Sequence, residues 1–165
     1  MKTLAETDAI RPARVDEAQL LSDLALRSKA HWGYSPEFIE RCRDELSYDA
    51  EQLLAEHMRF FVLVSAERVV GFYALKRPSK SEIELEAMFV EPAFIGSGCG
   101  RSLIEHAKAT AAALGATQLI IQSDPYAKRF YVAAGGVVTG TRESASIPGR
   151  YLPTLAIDLK ELFTS

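Results

Sequence analysis

The chain has 165 residues, 48% of them apolar and 25% charged, and a formal net charge of -3. That is long enough for one hydrophobic core without disulfide or metal support, and too apolar for a disordered chain. The slight acidity excludes a broad basic field of the kind that holds nucleic acid by counterion release, and the widely separated Cys42 and Cys99 form neither a disulfide framework nor a metal-ligand spacing.

In chain order, AIRPARV reads as a short strand whose Pro12 belongs at an edge, and DEAQLLSDLALRSKA as a helix with Leu20, Leu21 and Leu24 at helical spacing. HWGYSPEF breaks the pattern at Gly33 and Pro36. PEFIERCRDEL resumes it through Phe38, Ile39 and Cys42, and AEQLLAEH reads as a third short helix. FFVLVSAERVVGFYALKR is two β-rich runs around Ala66, Glu67 and Arg68, a hairpin, and Glu82 to Val90 is the next strand. RSLIEHAKATAAAL sets Leu103, Ile104, Ala107, Ala111 and Leu114 on one helical face, with Gly115 as its C-cap. TQLIIQS is a buried strand, AKRFYVAA a helix ended by Gly135 and Gly136, and VVTGTRES and RYLPTLAIDL a last pair of strands turning at Pro148 and Gly149. This order predicts an α/β protein with a mixed sheet and helices on both faces.

No stretch approaches the ~20 apolar residues that cross a bilayer, and MKTLAETDAIRPARV lacks the apolar run of a secretory signal. The expectation is one cytoplasmic domain over residues 1–165, with no metal, no nucleic acid and no membrane among its partners.

IGSGCGRSL stands between a strand and a helix, where free backbone N–H groups and the helix dipole form an anion site that glycines let a phosphate approach. The spacing of Gly96, Gly98 and Gly100 fits neither the dinucleotide fingerprint nor a nucleotide P-loop. Val90, Pro92, Gly96, Gly98, Gly100 and Leu103 together resemble motif A of the GNAT acyltransferase superfamily. A second stretch, DPYAKRFYVAAGG, resembles that superfamily's later motif through Ala127, Phe130, Tyr131 and Gly135. The element order is also similar, so the resemblance covers essentially the whole chain. It implies the GNAT fold, a central mixed and mostly antiparallel sheet flanked by helices. Three positions depart from the family pattern: Ile95 stands where Arg or Gln is usual, Asp124 for Asn, and Gly136 for Phe.

The resemblance implies acetyl-CoA as co-substrate. Its pyrophosphate would lie on the amides of Gly96, Ser97, Gly98, Cys99, Gly100 and Arg101. Its pantetheine arm would pair with Met88, Phe89 and Val90 by strand addition, and Asp124, Ala127 and Phe130 would line the same side. In similar enzymes the residue at Tyr131 is the general acid near the CoA sulfur. Read by itself, this tyrosine on an apolar helix face is more often a core residue.

Transfer to an amine needs a base, because an alkylamine is almost wholly protonated at neutral pH. Glu82, Glu84 and Glu86 alternate along one strand, so the period places them on one face, where crowding raises their pKa values. Glu84 and Glu86, nearer the expected thioester, are the candidate bases, although a solvated acidic face reads the same way. Cys99 at a helix start is a conceivable nucleophile, but no partner for it is visible.

SKAHWGYSPEF concentrates Lys29, Trp32 and Tyr34 between two helices, a region that overhangs the acceptor in GNAT enzymes, and GRYLP adds Arg150. These four are the candidate substrate contacts, suited to an acceptor carrying a carboxylate or a ring; loop packing is the alternative. The function expected is N-acetylation of a small-molecule amine by direct attack in a ternary complex, with homodimerisation drawn from the resemblance alone. A protein or peptide N-acetyltransferase and a non-catalytic acyl-CoA-binding domain are the alternatives.

Overall fold

The structure is a computed structural model that describes residues 8–163, so the reading of the first seven residues as no part of a secretory signal lies outside the described residues. Seven strands form one sheet: β1 (Ala9–Pro12), β2 (Met58–Ser65), β3 (Arg68–Lys76), β4 (Glu82–Val90), β5 (Gln118–Gln122), β6 (Gly136–Glu143) and β7 (Tyr151–Asp158). Their order is β1-β2-β3-β4-β5-β7-β6, antiparallel throughout except where β4 meets β5. The helices are α1 (Ala18–Ala30), α2 (Pro36–Cys42), α3 (Ala50–Leu54), α4 (Cys99–Ala113) and α5 (Lys128–Ala133). The mixed, mostly antiparallel sheet flanked by helices is thus the architecture expected, and Pro12 does sit on an edge strand.

Two cores occupy the two faces. One joins Leu103, Ile104 and Ala107 of α4 and Tyr131 of α5 to Leu75, Ile83 and Leu119 of the sheet. The other packs Leu21, Leu24 and Ala25 of α1 with Cys42 on Phe60, Phe72 and Ala87. Leu103 and Ile104 are almost wholly buried, each stabilising the fold by about 1.5–3 kcal/mol. Helix α4 stops in a Schellman motif, with the amides of Gly115 and Ala116 donating to the carbonyls of Ala112 (2.9 Å) and Ala111 (3.1 Å), and Gly115 at a φ of 94°. Helix α2 ends earlier than its sequence pattern, at Cys42, where residues 43–46 close as a turn. Helix α4 starts earlier, at Cys99, because Gly98 takes the N-cap position.

The β2–β3 hairpin turns on Ala66 and Glu67, both left-handed (φ 50° and 66°). That geometry matches the strand twist but favours Asn-Gly. Replacing Glu67 by Gly removes one left-handed non-glycine residue, a strain of about 1–2 kcal/mol offset in part by glycine's freer unfolded chain. The expected result is a melting temperature ~2–4 °C higher, read by thermal denaturation.

One irregularity in β4 shapes the site. Ala74 pairs with Ala87 but Leu75 with Leu85, so Glu86 is an extra, bulged residue. Up to the bulge Ile83 and Leu85 face α4; beyond it Met88 and Val90 do, while Ala87 and Phe89 turn to the α1 side. The parallel pairing to β5 ends just before it, at Leu85 opposite Ile121. From Glu86 onward β4 has a strand on one side only, and the two strands diverge.

Candidate active site

The divergence of β4 and β5 opens a cavity of about 810 Å³. Along one wall lies the unpaired side of β4, with Met88, Phe89 and Val90. At its end the chain passes through Ile95 and the glycine loop into α4. Gly96 and Gly98 are left-handed (φ 83° and 97°), and Gly98 as N-cap carries no side chain to bond the first turn. The amides of Cys99, Gly100 and Arg101 are therefore first-turn donors with no carbonyl of their own helix to meet. A Cβ at Gly100 would lie 3.2 Å from the ring of Phe130, which lines the cavity with Ala127 and would have to give by a few tenths of an ångström. Cradle and unpaired strand edge fit a phosphate and an extended, amide-bearing arm.

Not every loop residue faces the cavity. Cys99 is wholly buried, its sulfur accepting from the Ser97 hydroxyl at 3.1 Å, and burial pushes its thiol pKa up. The nucleophile reading of Cys99 therefore fails on access. The Ser97 amide, expected in the cradle, is instead spent on the Phe94 carbonyl at 3.1 Å, and its hydroxyl turns to the same oxygen, so of these two residues only Cys99 offers a main-chain donor.

Tyr131 lines the cavity from α5, only 6% exposed, with its ring edge-on to Phe130 at 5.2 Å. Burial, aided by the charge of Asp124, holds its phenol well above the ordinary range, so it stays protonated at neutral pH. Glu84 and Glu86 line the same cavity. Glu84 pairs with Arg142 of β6 at 3.7 Å. Glu86, though exposed at the bulge, has a raised pKa; the main cause is partial desolvation of its carboxylate, with the charges of Glu84 and Glu45 adding to it against Lys76. Crowding was the expected cause; it is secondary. Glu82 lies at the exposed start of β4 and does not line the cavity.

Four residues far apart in sequence meet at the mouth. Asp124 accepts from Lys29 Nζ (2.6 Å) and the Tyr34 hydroxyl (2.9 Å), and caps the turn that follows by accepting from the Tyr126 amide (2.9 Å). Arg150 donates to the same Tyr34 hydroxyl at 2.8 Å and lies 3.7 Å from Asp124. Burial would raise the Asp124 pKa, but the Lys29 bond and charge, the Tyr126 amide and the Tyr34 hydroxyl bring it below its usual value. Lys29, Trp32 and Arg150 reach the cavity, whereas Tyr34 stands behind them. Asp124, expected on the cofactor side, lines the cavity with Ala127 and Phe130 and also joins Lys29, Tyr34 and Arg150. Tyr126, stacked on Trp32 at 5.5 Å, had no sequence signal, and Arg142 needed the strand pairing to be seen.

A second ion pair ties α1 to the end of β4. Glu91, 5% exposed, accepts two bonds from Arg27 (2.7 and 2.8 Å) with Arg68 at 3.7 Å, and this holds its carboxyl below the ordinary range. A depressed native pKa gives stability that is present above the unfolded value and lost as pH falls through the native one. Replacing Arg27 by Met strands the buried carboxylate and should cost about 2–3 kcal/mol at neutral pH. Chemical denaturation at pH 7 and pH 4 checks this: the deficit of the variant should shrink at the lower pH.

Among the described residues no helix is long and apolar enough to cross a membrane, and no cluster of His, Cys, Asp and Glu is placed to hold a metal ion. A family model described as an acetyltransferase (GNAT) domain matches residues 30–146. An uncharacterized N-acetyltransferase of Mycobacterium tuberculosis is 33% identical over 78 residues, 46% of this chain and 50% of that one, so the chain spans about half the length of the curated relatives it matches. A GCN5-related N-acetyltransferase from Rhodopseudomonas palustris superposes with a TM-score of 0.77 at 23% identity, covering 96% of this chain and 99% of that one. PaiA N-acetyltransferase of Thermoplasma acidophilum, solved with coenzyme A, gives 0.76 at 20% identity over 92% and 99% of the two chains. Those two likenesses carry the fold; the match across most of the chain carries the family, and the chain belongs to the GNAT acetyltransferases.

Proposed function

We propose that the protein is an acetyl-CoA-dependent N-acetyltransferase that acetylates the primary amine of a small molecule by direct attack. The observation that carries this reading is one continuous cavity walled by the glycine cradle, the unpaired edge of β4, the Tyr131 phenol and the Glu84–Glu86 pair. The coenzyme A found with the PaiA relative supports the choice of donor.

Acetyl-CoA bound here supplies the thioester carbonyl that the amine attacks. The first-turn amides of Cys99, Gly100 and Arg101 would hold the pyrophosphate, and the backbone of Met88–Val90 would pair with the pantetheine amides. An N–H on that same edge stabilises charge on the carbonyl oxygen. Glu86, raised in pKa by partial desolvation, takes the proton that the acceptor ammonium loses before attack. Tyr131 gives its hydroxyl proton to the departing thiolate and is restored by the second proton leaving the new amide nitrogen. No covalent enzyme species is needed: Cys99 is sealed in the core, and burial holds the Cys42 thiol above its ordinary range.

Calorimetric titration with acetyl-CoA, followed by a thiol-release screen over small amines, tests this reading. Micromolar binding and amine-dependent release are expected. Binding without release on any small amine, but with release on peptides, would replace it with a peptide acetyltransferase.

A further inference from the structure

We infer that the acceptor is a zwitterion, an amine that also carries a carboxylate, and that Lys29 and Arg150 hold the carboxylate at the cavity mouth. The inference deepens the N-acetyltransferase reading and rests on it for the position of the amine.

The argument begins with the balance of charge around Asp124. Two cations, Lys29 and Arg150, share one carboxylate, Asp124, so the cluster carries one unmatched positive charge. All three side chains are largely withdrawn from solvent, at 14%, 20% and 14% exposure respectively. A desolvated excess cation is costly unless an anion completes it. Both cations also keep donors in hand. Lys29 spends one N–H on Asp124 and Arg150 one on the Tyr34 hydroxyl, and among the described residues no other side chain or carbonyl takes the rest. Lys29 and Arg150 both line the cavity, so the unspent donors border the space an acceptor would fill.

The donors are also held ready. The Arg150 guanidinium lies 4.9 Å from the Phe38 ring centre and 5.3 Å from that of Tyr34, and the two rings stack on each other at 4.2 Å. Lys29 sits 5.3 Å over the same Tyr34 ring. Aromatic support of this kind limits the side-chain entropy lost on binding. Lys29 comes from the last turn of α1 and Arg150 from the β6–β7 loop, so the two approach from different elements, as a clamp does. Asp124 keeps them together when no ligand is present.

The same cavity also offers a site for the amine. Glu84 is matched by Arg142, and Glu86, the bulged residue beside it, borders the same cavity as a carboxylate for an ammonium, while Glu45 is held by Ser146 in the β6–β7 loop. One molecule with an amine toward Glu86 and a carboxylate toward Arg150 satisfies both ends; a simple alkylamine leaves the cation excess unmatched, and a polyamine meets it with like charge.

The experiment pairs each of the common free L-amino acids with its C-terminal amide, which keeps the amine and removes the anion. Thermal shift of the CoA-saturated protein reads binding, and thiol release from acetyl-CoA reads turnover. For the preferred amino acid the acid should stabilise the CoA complex more than its amide does. Its kcat/KM should exceed that of the amide by ~10–100-fold, and in Arg150→Gln the ratio should fall toward one while acetyl-CoA affinity is unchanged. Equal or better binding of the amides, no shift with any amino acid, or an acid-to-amide ratio untouched by Arg150→Gln overturns the inference. Carboxylate-dependent binding without any thiol release leaves the anion site standing and removes the acetyltransferase reading, so the two fail separately.

Discussion

Replacing Tyr131 by Phe is expected to lower kcat by ~10²–10³-fold, the range typical of a lost general acid, with little change in acetyl-CoA affinity. The substitution deletes one oxygen and no packing. Tyr131 is 6% exposed and its ring contacts Phe130 at 5.2 Å, contacts a phenylalanine keeps, so the fold is not placed at risk. The hydroxyl is a suitable acid because burial, with Asp124 nearby, keeps it protonated at neutral pH. The thiolate leaves within hydrogen-bond reach of a protonated phenol, and the tyrosinate is reprotonated at once by the more acidic N–H of the cationic amide nitrogen, which draws the sequence forward. Steady-state kinetics together with calorimetry of acetyl-CoA binding decides the matter. A kcat within a few-fold of the parent would reduce Tyr131 to a cavity-wall residue.

Replacing Gly98 by Val is expected to weaken acetyl-CoA binding by ~100-fold, equivalent to about 2.7 kcal/mol and in line with losing charge-assisted bonds to phosphate. Gly98 is left-handed at φ 97° and occupies the N-cap of α4. A branched side chain there both strains the backbone and stands over the first-turn amides. The strain must be separated from the loss of the cradle, and Gly115 provides the control. It has a similar φ of 94° at the other end of α4, where a Cβ would approach nothing nearer than an Arg77 nitrogen at 3.9 Å. Gly115→Val should destabilise the fold by about 1–2 kcal/mol and leave acetyl-CoA affinity alone. If both variants bind normally, the cradle assignment is wrong.

Much of this architecture was legible because local signals agreed. Among the described residues, periodicity and turn residues placed the seven strands and five α-helices, the glycine loop announced an anion site, and Gly115 marked the end of α4. What escaped was set by pairing between distant segments. The alternation of Glu82, Glu84 and Glu86 reads as one uniform acidic face, but a bulge at Glu86 interrupts it; a bulge is one strand's misfit with its neighbour, and β4 alone does not contain that information. Asp124 is adjacent in sequence to the cofactor motif, yet its partners are 95 residues away at Lys29 and 90 at Tyr34. The exclusion of the Cys99 thiol likewise depends on which way the first turn of α4 faces, and that is decided by the sheet beneath it.

The short parallel seam between β4 and β5 has a consequence for cooperativity. Only four register pairs, from Glu82–Gln118 to Leu85–Ile121, join β1 to β4 with β5, β7 and β6, and the covalent link across the seam is the α4 crossover. Two half-sheets stitched over so few rungs can separate at a free energy below that of global unfolding. Amides of the β5–β7–β6 half should therefore exchange with solvent deuterium as a group, ahead of those in β2 and β3. A molecule wedged between the diverging strands ties both halves together, and the proposed co-substrate would then act as the mortar of the sheet as well as the reagent it holds.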